Sequence, residues 1–263
     1  METTTNQGDI PEEHQSELRT SKVNREFVFR YIVFGLFVLF VFTPTLIMPR
    51  KWLYSFFFPL FNRGYLWAAK IKVKNLSDRQ TFKESKPVIY APIHKCYADS
   101  IILGLFLRHP FTVLMDMVNR NNNIFFRFIA WKMGLIPMDR DFASLMSKKN
   151  SLERCIEVIA AEKYSLIMSP EGRHYYDQII GPLKKGIIRI ARETNSSIIP
   201  VAIHNITGHF VFEEKLRWKQ CYIKFGTPFS VNDFAGDREA LVHLKSEMVR
   251  LYNEIDQTVN QGI

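Results

Sequence analysis

The chain has 263 residues, enough for one large domain with a full core, and its hydrophobic content of 47% is that of a globular protein. Lysine and arginine number 35 against 26 acidic residues, a formal charge of +9 that points to an anionic partner: nucleic acid, anionic lipid or a phosphorylated substrate. Aromatics are not interleaved with the basic residues as in RNA-binding signatures, and zinc-finger spacing is absent, so nucleic acid is not expected.

Residues 1–24 are polar, lack apolar periodicity and read as a disordered tail. From Tyr31 to Met48 the chain runs "YIVFGLFVLFVFTPTLIM", uncharged between Arg30 and Arg50. As a helix it is about 27 Å long, close to the thickness of the hydrocarbon layer. A signal peptide ends in small residues, which this stretch does not. The following stretch, Lys51 to Lys70, mixes Trp52, Tyr54, Tyr65 and Trp67 with apolar and basic residues, a composition suited to the membrane–water interface. Residues 25–69 are therefore expected to attach the protein to a bilayer, and both a spanning helix and a hairpin broken at Pro44, Pro49 and Pro59 are open. Basic residues are denser after the apolar segment than before it, which places the following domain on the cytoplasmic face.

From residue 70 to 263 short apolar runs alternate with helical stretches, and one α/β domain is expected, a mixed sheet flanked by helices. Strands are predicted at 70–76, 88–92, 112–117, 164–170, 197–204 and 221–229, with a short extended piece in "GLIPMDR" at 134–140. Helices are predicted at 97–108, 123–133, 151–163 and 186–194, and a last helix carries Leu241, Leu244, Met248, Leu251 and Ile255 as one apolar stripe. Cys96, Cys155 and Cys221 are odd in number and widely spaced, so a reducing compartment and no disulfide framework are expected. Neither a metal site nor a cofactor is expected.

Two polar clusters follow buried strands. "HKCYAD" (His94 to Asp99) follows the strand ending at Pro92, and "EGR" (Glu171 to Arg173) follows the strand ending at Pro170. Open α/β sheets place their sites at such strand ends. His94 and Asp99 on their own read as the caps of a buried helix rather than as a catalytic pair. Five residues advance about 500° on a regular helix, so the two share no face there. If His94 lies in the loop and Asp99 in the first helical turn, the carboxylate folds back onto the ring.

Four blocks stand in order: "HKCYAD", "GLIPMDR" (Gly134 to Arg140), "PEGR" (Pro170 to Arg173) and "IIPVAI" (Ile198 to Ile203), with "GPLKKG" (Gly181 to Gly186) after the third. This set resembles the glycerolipid acyltransferases of the 1-acylglycerol-3-phosphate acyltransferase type, part of the lysophospholipid acyltransferase superfamily, over roughly residues 70–229. The resemblance implies a glycerol-3-phosphate acyltransferase-like fold. It also implies transfer of a fatty acyl group from acyl-CoA or acyl carrier protein to a lysophospholipid hydroxyl at a membrane, by default 1-acylglycerol-3-phosphate to give phosphatidic acid. His94 would act as general base, since a neutral imidazole of reference pKa about 6.5 suits proton removal near neutrality. Asp99 would orient and support it, and amides at the helix start would receive the oxyanion. Arg140, Glu171, Gly172, Arg173 and, more weakly, Lys184 would hold the acceptor and its phosphate.

Cys96 is the rival nucleophile; the resemblance favours direct transfer and a supporting role for its small side chain. Ile93 stands where the family commonly has asparagine, and Arg173 and His174 stand where Thr-Arg is usual. These departures leave the acceptor open between lysophosphatidate, another lysophospholipid and an amino lipid. The other function class is a catalytically inactive membrane protein of the same fold that binds anionic lipid. A serine hydrolase is disfavoured, because no Gly-x-Ser-x-Gly elbow is present.

Overall fold

The run Ile89–Pro92 is buried at every position, as befits a strand covered on both faces of its sheet. The computed structural model describes residues 25–45, 53–77, 86–95, 98–107, 110–116, 134–138, 145–162, 164–173, 175, 179–205 and 218–261. In chain order these hold helix α1 (Arg25–Thr45), a π-helical turn (Leu53–Phe57), α2 (Phe58–Ala68), β1 (Ile71–Asn75), β2 (Ile89–Pro92) and α3 (Asp99–Gly104). Then come β3 (Phe111–Asp116), β4 (Ile136–Met138), α4 (Leu145–Ala160), β5 (Ser165–Ile167), α5 (Gly186–Thr194), β6 (Ile198–His204), β7 (Lys219–Phe225) and α6 (Asp237–Asn260).

The described strands form one sheet in the order β1-β7-β6-β2-β5-β3-β4. β6, β2, β5, β3 and β4 run parallel, β7 is antiparallel to β6, and β1 is parallel to β7. This is the expected mixed α/β sheet. Alternation along β2 separates two cores. Tyr90 faces one, with Ile102 and Leu103 of α3 and Phe58 and Leu66 of α2. Ile89 and Ala91 face the other, with Ile187 and Ile190 of α5 and Leu244, Met248 and Leu251 of α6. Edge strand β1 keeps Lys72 and Lys74 exposed, charges that discourage pairing with another chain.

Boundaries moved where tertiary contacts decide them. β7 starts at Lys219, earlier than predicted, because Lys219 and Gln220 pair with Ile71 and Lys72 of β1. It stops at Phe225, and Phe229 keeps only a single bridge to Ile198. α3 is shorter than predicted, since the chain turns at Leu105 and Phe106. α4 starts six residues earlier than predicted, whereas α5 matches its predicted span and ends on the left-handed Asn195, at φ 50°. On α6 the buried stripe begins at Ala240 rather than Leu241. The helix predicted at 123–133 lies outside the described residues.

The spanning alternative finds no support among the described residues. Among the described residues no helix is long and apolar enough to cross a membrane. α1 begins at Arg25 and ends at Thr45. α1 packs against α2. The Phe34 ring meets Phe61 at 5.5 Å and Tyr65 at 5.9 Å, and the Arg30 guanidinium donates to the Trp67 carbonyl at 3.0 Å. Contacts that advance on one helix as they recede on the other make this pair antiparallel, a helical hairpin.

The hairpin is joined to α3 through Gly104. A Cβ there would lie 2.7 Å from both Asn62 Nδ2 and Phe58 Cε1, each on a buried side chain of α2. Gly104→Ala is expected to destabilise the fold by about 1–3 kcal/mol through overpacking. Thermal denaturation of the variant checks this, and an unchanged midpoint would show that α2 can move aside.

Candidate active site

β2 and β5 are parallel neighbours, Ile89 opposite Leu166 and Tyr90 opposite Ile167, so their carboxyl ends open on one edge of the sheet. The His94 loop leaves one and the Glu171 loop leaves the other. The first loop is held by Ile93, fully buried, whose amide donates to the Val201 carbonyl at 3.0 Å. Pro200 and Val201 of the fourth block thus act in the sheet.

Asp99 opens α3, and its carboxylate turns back into the loop as expected. Asp99 Oδ2 lies 2.9 Å from His94 Nδ1 and accepts the Lys95 amide at 2.9 Å. The Asp99 side chain is 4% exposed and the His94 side chain 22%. The carboxylate is enclosed while the ring is partly exposed. Donation from Nδ1 to a carboxylate fixes the tautomer in which Nε2 carries the basic lone pair.

Glu171 takes a different place from the one expected. It is fully buried, and its two oxygens accept the His94 amide and the Gly181 amide, each at 2.8 Å. Both oxygens therefore serve the fold, tying the His94 loop to the segment after the third block. Burial raises the Glu171 carboxyl above its ordinary range, and the two amides and the nearby Lys95 charge draw it back. The expected oxyanion donors are also narrowed. The His94 and Lys95 amides are occupied by Glu171 and Asp99, and Cys96 and Tyr97 lie outside the described residues.

Gly172 has φ +70°, a left-handed conformation that disfavours a side chain, and the space a Cβ would take is occupied by Lys184, with Nζ at 3.0 Å. The Lys184 amide donates to the Pro170 carbonyl at 2.8 Å, so the exposed Lys184 is brought onto the third block. Arg173 is also exposed, and its guanidinium carbon stands 4.5 Å from the centre of the Tyr175 ring. Sequence reasoning missed Lys95 and Tyr175. Lys95 is buried, and its ammonium donates to the Tyr175 carbonyl at 2.8 Å. Arg140 lies outside the described residues.

The structure therefore brings His94, Asp99, Glu171, Gly172, Arg173 and Lys184 together at one edge of the sheet. The thiols of Cys155 and Cys221 are both buried. Burial pushes the first up to about 12, and burial together with the Asp99 charge raises the second. Neither supplies a thiolate nucleophile. Among the described residues no cluster of His, Cys, Asp and Glu could hold a metal ion.

The family model for acyltransferases matches residues 70–204, about half of the chain. A 1-acyl-sn-glycerol-3-phosphate acyltransferase of Brassica napus, BAT2, chloroplastic, is 26% identical over 121 residues, which are 44% of this chain and 33% of that protein, so the match spans a third of the relative's length. The crystal structure of the 1-acyl-sn-glycerophosphate acyltransferase PlsC from Thermotoga maritima superposes with a TM-score of 0.68 at 15% identity, covering 92% of this chain and 97% of that one. At that identity the likeness bears on the fold.

Proposed function

Because the chain belongs to the acyltransferase family, we propose that it transfers a fatty acyl group from a thioester donor, acyl-CoA or acyl carrier protein, to a lysophospholipid hydroxyl. The favoured acceptor is 1-acylglycerol-3-phosphate, which becomes phosphatidic acid. The observation that carries this reading is the 2.9 Å contact between His94 Nδ1 and the enclosed Asp99 carboxylate. As the acceptor oxygen attacks the thioester carbonyl, its proton passes to His94 Nε2 and Asp99 supports the imidazolium. The tetrahedral intermediate collapses with cleavage of the C–S bond, and the imidazolium returns the proton to the departing thiolate. Transfer is direct, without an acyl-enzyme. The test is an assay of the full-length protein in vesicles with thioester donors and a panel of lysolipid acceptors. Absence of transfer to every acceptor would overturn the reading in favour of a non-catalytic lipid binder.

Arg173 is assigned the acceptor phosphate, since a guanidinium binds phosphate oxygens in bidentate fashion. A charge-assisted contact is worth about 1.5–3 kcal/mol, so Arg173→Ala is expected to raise the acceptor KM roughly 10–100-fold with little change in kcat. An unchanged KM would remove Arg173 from the phosphate site.

The N-terminal hairpin is assigned to the bilayer surface, lying in the interface rather than crossing it. Phe29, Ile32, Leu36 and Leu39 recur at helical spacing on α1 and are all more than half exposed. At the end of the hairpin Arg30 stands 4.7 Å from the Trp67 ring and 5.5 Å from the Trp218 ring, and Lys72 stands 5.3 Å from Trp218. Half-exposed tryptophans among cations suit the headgroup layer, and the cationic surface suits the anionic cytoplasmic leaflet. The double variant Phe29→Glu/Leu36→Glu is expected to lower the fraction sedimenting with phosphatidylglycerol vesicles at least tenfold. Undiminished sedimentation would place the membrane contact elsewhere.

A further inference from the structure

The third block delivers Arg173 on an exposed loop, where a long side chain has many rotamers and no fixed address. What gives it one is Tyr175. Its ring lies under the guanidinium at 4.5 Å, within range of an attractive cation–π contact. The ring itself is seated on Gly181, where a Cβ would fall 2.1 Å from Tyr175 Cε2 and 2.2 Å from Cδ2. Only glycine leaves room for it. The Tyr175 backbone is fixed independently, because its carbonyl accepts the ammonium of the buried Lys95.

These contacts form a chain that returns to the catalytic pair. The Gly181 amide donates to one oxygen of Glu171, and the other oxygen accepts the His94 amide. Lys95, the residue after His94, closes the circuit by holding the Tyr175 carbonyl, and its own amide donates to Asp99. The Arg173 guanidinium is thus referenced to the imidazole through Tyr175, Gly181 and Glu171.

We propose that Tyr175 is a positioning residue for acceptor specificity: its ring, seated on Gly181 and anchored through Lys95, sets where the Arg173 guanidinium meets the acceptor phosphate relative to His94. The proposal rests on the reading of Arg173 as the phosphate contact. A loose guanidinium would bind phosphate with a larger entropic cost. Acceptor binding would weaken while the donor and the chemical step were untouched.

The test uses full-length protein in vesicles with lysophosphatidic acid as acceptor. Tyr175→Leu fills the seat on Gly181 and retains the backbone carbonyl but lacks the aromatic face. It is expected to raise the acceptor KM about three- to tenfold, with donor KM, kcat and melting temperature unchanged. Tyr175→Phe is expected to restore the KM, because the ring rather than the hydroxyl carries the effect. In the double variant Arg173→Ala/Tyr175→Leu the KM should be no higher than in Arg173→Ala alone. If Arg173→Ala raises the KM and Tyr175→Leu does not, or if the two effects multiply, the positioning role is wrong and the phosphate contact stands. If Arg173→Ala itself leaves the KM unchanged, the phosphate reading fails first. A lowered melting temperature in Tyr175→Leu with an unchanged KM would assign the ring to stability alone, and a lowered kcat with both unchanged would move its role from acceptor binding to the chemical step and overturn the proposal.

Discussion

His94→Ala is expected to lower kcat for acyl transfer by about 10²–10⁴-fold, the loss typical of a general base. The expectation follows from which imidazole nitrogen is engaged. Nδ1 faces the Asp99 carboxylate at 2.9 Å, so Nε2 is the atom that takes the acceptor proton. Alanine removes that atom and leaves the peptide amide that Glu171 accepts, so the loop keeps its tether. Donor and acceptor KM values should therefore change little, which separates loss of the base from loss of binding. Asp99 is enclosed and loses one donor while keeping the Lys95 amide. A fall in melting temperature is expected alongside, and the assay must be run well below it. Retention of more than a tenth of the wild-type rate in folded His94→Ala would show that the alcohol is deprotonated by something else.

The parts legible in the sequence are those that local pattern encodes. Continuous apolar runs marked β2 and β5 as buried strands, and the three- and four-residue spacing on α6 marked its buried face. The loop-then-helix argument placed Asp99 against His94, because only a fold-back satisfies a five-residue separation. What escaped was carried by the backbone. Glu171 binds two main-chain amides, one of them 77 residues away in sequence. Lys95 binds a carbonyl 80 residues away. Main-chain donors and acceptors look the same at every residue, so such partners leave no signature in side-chain types. Tyr175 was illegible for a related reason. Its significance depends on an absent side chain at Gly181, and a glycine in a loop more often signals a turn.

Asp99→Asn distinguishes two parts that the carboxylate could play. Asp99 Oδ2 accepts both the Lys95 amide and His94 Nδ1, so it could serve as a loop cap, as support for the imidazolium, or as both. An asparagine oxygen in the same place accepts the same two donors. The reverse orientation would set an NH₂ group against the Lys95 N–H, which disfavours it. The cap and the tautomer are therefore retained and the negative charge is lost. Unit charges about 4 Å apart interact by roughly 4 kcal/mol at an effective dielectric near 20, and each 1.4 kcal/mol is about tenfold in rate. Allowing for the partial exposure of the ring, Asp99→Asn is expected to lower kcat about 10²–10³-fold with a melting temperature near that of the wild type. Asp99→Ala should lose at least as much rate and also about 1–3 kcal/mol of stability, because the Lys95 amide is left without its acceptor. If Asp99→Asn turns over at close to the wild-type rate, the carboxylate is a cap and the imidazole works without its charge. If Asp99→Asn is as unstable as Asp99→Ala, the amide has not kept the two bonds and the charge argument must be judged on another variant, Asp99→Glu, whose longer side chain keeps the charge and displaces it. In that variant a rate above that of Asp99→Asn restores the electrostatic account, and a rate at or below it removes the account.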